Sequence, residues 1–198
     1  MGGVIEVERK RQLSDGGARL TGLLVVEGWV AADPVVEVDT YYSRPDVDFM
    51  ETVECLRVRR RGVFAEVTYK PPSTAATHGA GGVVSKRETN VLLAGAGQAE
   101  AADSLLGALG MRLLVQVEKH RTAYRHPRWA DVTVAVDRLA GVGAFVETEV
   151  LSDDALMAAA TVANVEHDLD LDDCPIIVLP YRDLAMRAQP APVTVSRG

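Results

Sequence analysis

The sequence predicts a mainly β chain of the α+β class: an eight-stranded antiparallel sheet closed into a barrel, with a few helices at its flanks. Three observations point there. Most of the chain alternates apolar and polar residues at period two, the pattern of a strand with one buried face. The alternating runs number eight, and eight antiparallel strands suffice to close a sheet on itself and remove its edges. The 198 residues, 47% hydrophobic and 25% charged, fit one globular domain rather than a disordered chain.

Taken in order, residues 4–10 form the first strand. Residues 17–27 predict a helix stopped at Gly28, despite two glycines. Strands follow at 35–42, 55–61 and 63–70. Residues 71–83, rich in glycine with two prolines at the start, form a loop too long for a tight hairpin, expected to be mobile and to order over a bound substrate. A strand spans 84–92. The next helix covers 98–109, where Ala101, Leu105, Leu106 and Leu109 make the apolar stripe and Gly110 the stop. Strands at 113–124, 130–139 and 143–151 complete the eight. Ser152 is placed to cap a last helix, with Asp153 and Asp154 in its first turn, running to about His167. Residues 1–187 read as a single domain, and 188–198, with two prolines and no core pattern, as a disordered tail.

Composition narrows the function. The formal charge is −7 and the pI about 5.1, so the mean field repels phosphate and argues against a general nucleic-acid binder. The charge is sorted along the chain: residues 51–90 and 112–138 each carry +3, whereas 139–173 carry −9. No apolar run is long enough for a membrane span and no signal peptide leads the chain, so a cytoplasmic location without membrane contact is expected. Cys55 and Cys174 have no C-x-x-C spacing and read as small, buried or half-buried residues. The four histidines show no metal-ligand spacing.

The charged residues sit on the strands in pairs. In the first strand Glu6, Glu8 and Lys10 share one face, and Ile5 and Val7 the other. Neighbouring carboxylates roughly 7 Å apart repel, and a hard divalent cation such as Mg²⁺ or Mn²⁺ relieves both. Arg57 and Arg59, Glu66 and Lys70, Lys119 and Arg121, and Glu147 and Glu149 repeat the pairing, and Asp137 ends its own run. Taken singly, each pair is what any half-solvated sheet shows. If the sheet closes and these faces point inward, charges of both signs are costly unless they bind a charged ligand. A triphosphate with its metal satisfies both. Periodicity alone leaves open which face points inside.

In order along the chain, Glu6-x-Glu8-x-Lys10, Asp39-Thr40-Tyr41-Tyr42 with Pro45, Arg57-Val58-Arg59, Thr68-Tyr69-Lys70-Pro71, Lys86-Arg87-Glu88, Glu118-Lys119-His120-Arg121, Val136-Asp137-Arg138 and Phe145-Val146-Glu147-Thr148-Glu149 follow one another, with Pro180-Tyr181-Arg182-Asp183-Leu184 near the end. This series resembles the CYTH superfamily, the triphosphate tunnel metalloenzymes, and most of all its class IV adenylate cyclase branch, over about residues 4–187. The resemblance implies an eight-stranded tunnel in which Arg57, Arg59, Lys70, Arg87, Lys119 and Arg121 hold the triphosphate. It implies that Glu6, Glu8, Glu147 and Glu149, with Asp137 nearby, hold Mg²⁺ or Mn²⁺, and that Lys10 orients the phosphate or the nucleophile. In the 86–88 block Lys86 has the family's spacing and Arg87 its residue type; Arg87 is taken as the phosphate ligand.

The reaction implied first is conversion of ATP to cyclic AMP and pyrophosphate; hydrolysis of tripolyphosphate, thiamine triphosphate or a nucleoside triphosphate is the alternative. The chain departs from the studied cyclases in lacking a His-Phe element before Glu6. A non-catalytic nucleotide-binding module is a third reading. RNA binding through Arg57–Arg61 is a weaker fourth, since the basic run is short and without aromatics. The partner expected is a small triphosphate, and the resemblance suggests a homodimer. Glu166 and the aspartates around it read as a solvated helix and loop.

Overall fold

Ten antiparallel strands build one strongly curled sheet in the computed structural model, which describes residues 5–74, 77 and 80–188. The strands are β1 (Ile5–Leu13), β2 (Val30–Ala31), β3 (Val35–Ser43), β4 (Cys55–Arg61), β5 (Phe64–Lys70), β6 (Val84–Lys86), β7 (Thr89–Leu92), β8 (Arg112–His126), β9 (Trp129–Leu139) and β10 (Gly143–Ser152). The helices are α1 (Ala18–Val26), α2 (Phe49–Thr52), α3 (Ala99–Ala108), α4 (Ala155–Asp168) and α5 (Tyr181–Ala188). Nine strands follow one path, β6-β1-β10-β9-β8-β3-β4-β5-β7, and β2 pairs beside it with β8.

The sheet is an open half-barrel and not the closed eight-stranded barrel expected. Among the described residues no ladder joins the margins β6 and β7. The reason lies in residues 84–92, which change partner midway: Val84–Lys86 pairs with β1, whereas Thr89–Leu92 pairs with β5. Arg87 and Glu88 carry the chain across the seam without ladder bonds. Charge draws the margins together, because Lys70 at the end of β5 donates to Glu6 of β1 at 2.7 Å and also pairs with Glu88.

Helices cover the outer faces. The α1 and α4 helices lie over an apolar cluster containing Val7, Leu24, Val134, Val146, Val162 and Val165. The α3 helix covers a second cluster around Tyr42, Phe49, Leu56 and Val58. The α2 turn, four residues long and too short to leave a periodic signal, is capped by Asp48, which accepts from Met50 N. In α4 the cap is Asp154 rather than Ser152: its carboxylate accepts from the N–H groups of Leu156 and Met157, while Ser152 Oγ accepts from Asp154 N. Within the loop at 71–83 a 3-10 turn forms at Ala80–Gly82; residues 75–76 and 78–79 lie outside the described residues, as do 189–198 of the expected tail.

Glu166 corrects the reading of its helix as solvated. It is 0% exposed and points from α4 onto the outer face of β1. There its Oε2 accepts from Arg9 Nε at 2.7 Å and Arg11 Nε at 2.6 Å. The surplus positive charge rests on carbonyl oxygens: Arg9 donates to Gly81, and Arg11 to Asp172 and Cys174. Charges one residue apart thus face opposite ways along β1, with Arg9 and Arg11 tied outward and Glu6, Glu8 and Lys10 turned inward. Removing one partner of a buried ion pair strands the other in a poor solvent. Glu166→Ala is expected to lower the unfolding free energy in urea by about 3–5 kcal/mol; a loss below about 1 kcal/mol would show that the two guanidiniums rest on the carbonyl oxygens alone.

Candidate functional site

Strand alternation directs every second side chain into the curl, and register decides which charges meet. Across neighbouring strands Lys10 lies opposite Glu147, Glu8 opposite Glu149, Asp39 opposite Arg59, Glu37 opposite Lys119 and Arg121 opposite Asp137. The inner face encloses a cavity of about 380 Å³. One strand shows its long axis: on β8 Val115 and Val117 join an apolar cluster with Phe145 and Tyr181, Lys119 and Arg121 follow, and Ala123 and the exposed Arg125 reach the mouth.

The acidic wall is formed by Glu6, Glu8 and Glu149, each offering a carboxylate oxygen within 4.8 Å of the others. Burial, with Glu149 and Glu88 adding repulsion, pushes Glu6 up to about 7 although Lys70 opposes it. Burial raises Glu8 as well, aided by Glu6 and Glu147. Three crowded carboxylates, Glu6 and Glu8 among them raised by burial and repulsion, are a donor set that fits a hard divalent cation, which removes the repulsion. Of the wider metal set drawn from the sequence, Glu147 and Asp137 stand apart from this group. Glu147 pairs with Lys10 at 3.3 Å and with Arg121; Asp137, 0% exposed, accepts two bonds from Arg121 and one from the Tyr181 hydroxyl at 2.8 Å.

The basic residues gather on the facing strands. Arg59 forks onto Asp39 at 2.6 and 2.7 Å. Arg57 lies 3.7 Å from the same carboxylate, and its buried Nε has no hydrogen-bond partner among the described residues. Lys119 is lowered by burial and by the neighbouring Arg121 and Arg59. Lys70 is held well above its ordinary value by Glu8, Glu6 and Glu88 against the effect of burial. Lys10 donates to Leu179 O at 3.2 Å and stands 4.0 Å from the centre of the Tyr181 ring, at the closed end.

Arg87 is the exception among the expected phosphate ligands. It is exposed and absent from the cavity wall, whereas Lys86 and Glu88 on either side of it line the wall. Period-two alternation explains this: once Lys86 faces in, with its Nζ donating to Val53 O at 2.7 Å, Arg87 must face out.

Several site residues had no role assigned from the sequence. Glu37, Asp39, Glu88 and Tyr181 each hold a cation named above. Asp39 and Tyr181 fell inside quoted motifs without a function. The alternation Val36-Glu37-Val38-Asp39 carried the only signal for Glu37. Nine lysines and arginines line the cavity together with seven glutamates, and Asp39 and Asp137 lie close behind, so its formal charges cancel.

The sequence model of the CYTH domain matches residues 4–171. No match is found among curated proteins. Among solved structures, the chain is similar to the PH1819 protein from Pyrococcus horikoshii OT3, at 24% identity and a TM-score of 0.77, over 93% of this chain and 99% of that one. It is similar to a Vibrio parahaemolyticus protein described as a proposed adenylate cyclase, at 16% identity and 0.71, over 91% and 97%. It is also similar to HpAC1 from Hippeastrum, a proposed adenylyl cyclase described as having a dominant triphosphatase activity, at 12% identity and 0.63, over 94% and 96%. These likenesses show a shared fold. Among the described residues no helix is long and apolar enough to cross a membrane.

The raised carboxyls give a test with a definite sign. A Glu whose pKa is higher folded than unfolded costs stability as pH rises from its ordinary value of 4.5 toward about 7, and a cation at Glu6, Glu8 and Glu149 removes that cost. Mn²⁺ is expected to raise the melting temperature by several degrees at pH 8 and by much less at pH 5.5, where protons compete for the site. An equal rise at both pH values would separate the ion from these carboxylates.

Proposed function

The chain belongs to the CYTH domain family, and from that premise we propose that it is a divalent-metal-dependent enzyme acting on a triphosphate held inside the curled sheet. The carrying observation is the three-carboxylate group on one wall of a cavity whose other walls present buried guanidinium and ammonium groups. Glu6, Glu8 and Glu149 would hold Mg²⁺ or Mn²⁺, which supplies charge neutralisation and polarisation of the phosphoryl group. Arg57, Arg59, Lys119 and Arg121 donate to phosphate oxygens, and guanidinium forks match those oxygens in pairs. Asp137 and Glu147 hold Arg121 and Lys10 at fixed positions, and Lys70 spans the seam beside the acidic wall.

The first reading of the reaction is class IV adenylate cyclase-like. The ribose 3′-hydroxyl gives up its proton to solvent as its oxygen forms a bond to the α-phosphorus, the bond from that phosphorus to the bridging oxygen breaks, and pyrophosphate leaves. An apolar stretch of the same wall, Val53, Val84, Ile177 and Val178, supports it by offering a surface for a nucleoside. The second reading is a triphosphatase, in which a water oxygen bonds to the terminal phosphorus as that atom's bond to the bridging oxygen breaks, so that orthophosphate and the diphosphate leave and the water gives up a proton to solvent. It is supported by Glu149, which completes an acidic group able to hold a water beside the ion, and by the likeness to HpAC1.

Phosphorus NMR after incubation with ATP and Mn²⁺ separates the readings. Cyclic AMP with pyrophosphate identifies the cyclase, and ADP with orthophosphate the triphosphatase; binding without turnover would overturn both. Glu6→Ala and Glu8→Ala are each expected to lower turnover by at least about a hundredfold with the fold intact by circular dichroism. Full activity in either variant would remove that carboxylate from the metal site.

A further inference from the structure

Resting on the reading of this cavity as a triphosphate site, we propose that Glu37 is a resident counter-anion. Its carboxylate occupies the place among Arg59, Arg61, Lys119 and Arg121 that phosphate oxygens take, so the protein accepts a polyphosphate only together with divalent cations.

Glu37 is 0% exposed, lines the cavity from β3, and is set by register between Arg61 of β4 and Lys119 of β8. Its Oε2 lies 3.1 Å from Lys119 Nζ, 3.4 Å from Arg59 Nη1 and 4.0 Å from Arg121 Nε; its Oε1 lies 3.3 Å from Arg61 Nη1. Four cations converge on one carboxylate, yet among the described residues Oε2 has no hydrogen-bond partner. Oε1 accepts one hydrogen bond, from Arg61 Nη1 at the mouth, whereas at Oε2 the attraction of Lys119, Arg59 and Arg121 is of charge to charge without aligned N–H donors. Asp39 one turn of the pleat away is different: it takes both forks of Arg59 in line and stays behind the cavity wall. Asp39 is therefore fixed structure, whereas Glu37 faces the lumen with cations placed for oxygens better aligned than its own.

The charge inventory gives this consequence. With nine cations against nine carboxylates in and behind the wall, an empty cavity is neutral, and a bare polyphosphate entering it faces Glu37 at close range. Divalent cations on the acidic wall restore the balance. Replacing Glu37 by its neutral isostere leaves one cation in excess, with Asp39, Asp137 and Glu147 still pairing Arg59, Lys119 and Arg121.

The test is calorimetric titration of tripolyphosphate into the full chain, in EDTA and in Mn²⁺, for the wild type and Glu37→Gln. Wild-type protein is expected to bind at least about a hundredfold more tightly with Mn²⁺. Glu37→Gln is expected to gain about tenfold or more without metal and to change less than about threefold with it. Unchanged or weaker metal-free binding by folded Glu37→Gln overturns the proposal for Glu37, as does wild-type binding equally tight with and without Mn²⁺. A wild type that binds no tripolyphosphate even with Mn²⁺ overturns the reading of the cavity and this inference with it. Should Glu37→Gln not fold, Glu37→Asp, whose carboxylate is withdrawn by one methylene, is expected to tighten metal-free binding about threefold; no change overturns the proposal.

Discussion

Buried charge has to be neutralised where it stands, and this constraint shapes the inner face of the sheet as the apolar clusters shape its outer face. Desolvating a carboxylate or an ammonium costs several kcal/mol per ion even in a relaxed protein, of order the whole stability of a domain. Here the interior of the sheet is lined with both signs, and away from the acidic wall most groups are held by an opposite one from a neighbouring or facing strand. Arg59 is met by Asp39, Arg121 by Asp137 and Glu147, Lys70 by Glu6 and Glu88. The register of the sheet is thereby fixed by charge as well as by apolar packing. A slip of one residue would turn Lys119 and Arg121 to the outside and put Glu118 and His120 among the carboxylates.

The same constraint explains an unusual division of labour along β1. Its inner face carries Glu6, Glu8 and Lys10, and its outer face carries Arg9 and Arg11 under α4, where Glu166 pairs with both. A strand charged on both faces is held between two ion networks that share its backbone. Arg9 also donates to Gly81 at the foot of β6, and Arg11 to carbonyls of the segment leading to α5. Outer arginines thus tie the strand bearing the acidic wall to the two segments that flank the cavity, β6 and the approach to Tyr181. The glycine at 82 permits this closeness: its φ is +73°, and a Cβ there would meet Ile176 Cγ2 at 2.6 Å.

How much of this was legible follows from the range of each interaction. The strands were legible because alternation is local, and so was the pairing on one strand face of Glu6 with Glu8, Arg57 with Arg59, and Lys119 with Arg121. Closure was not. Whether 84–92 is one strand or two depends on β1 and β5, and nothing within Val84–Leu92 records that partners change at Arg87 and Glu88. Inner and outer faces were equally illegible. Period two places Lys86 and Arg87 on opposite sides without saying which is inside, and the residue type favoured the wrong one. Glu166 shows the limit most clearly: in a helix surrounded by acidic residues it looks solvated, and only the arrival of Arg9 and Arg11, more than 150 positions earlier in the chain, makes it the buried centre of a network. Short elements such as α2 fall below the length at which periodicity exists.

The two ends of the cavity differ, and the difference follows from composition along single strand faces. On β8 the inward residues pass from Val115 and Val117 through Lys119 and Arg121 to Arg125; on β10 they pass from Phe145 to Glu147 and Glu149. At the apolar end Tyr181 turns its ring to Lys10 and Lys119, at 4.0 and 5.0 Å, while its hydroxyl donates to Asp137. A ring face attracts ammonium groups with far less repulsion of an incoming anion than a carboxylate would bring. The ring therefore adds to the hold that Glu147 has on Lys10, and Glu37 and Asp137 on Lys119, without adding a further full negative charge there. At the other end Arg61 and Arg125 are reachable from water. A linear polyanion of the proposed kind would meet Arg125 and Arg61 first and Lys10 and Lys119 last, with the acidic wall along its side. The net charge of −7 describes the outer surface, where Asp153, Asp168 and Asp173 lie in solvent, and carries no information about an interior whose own charges cancel.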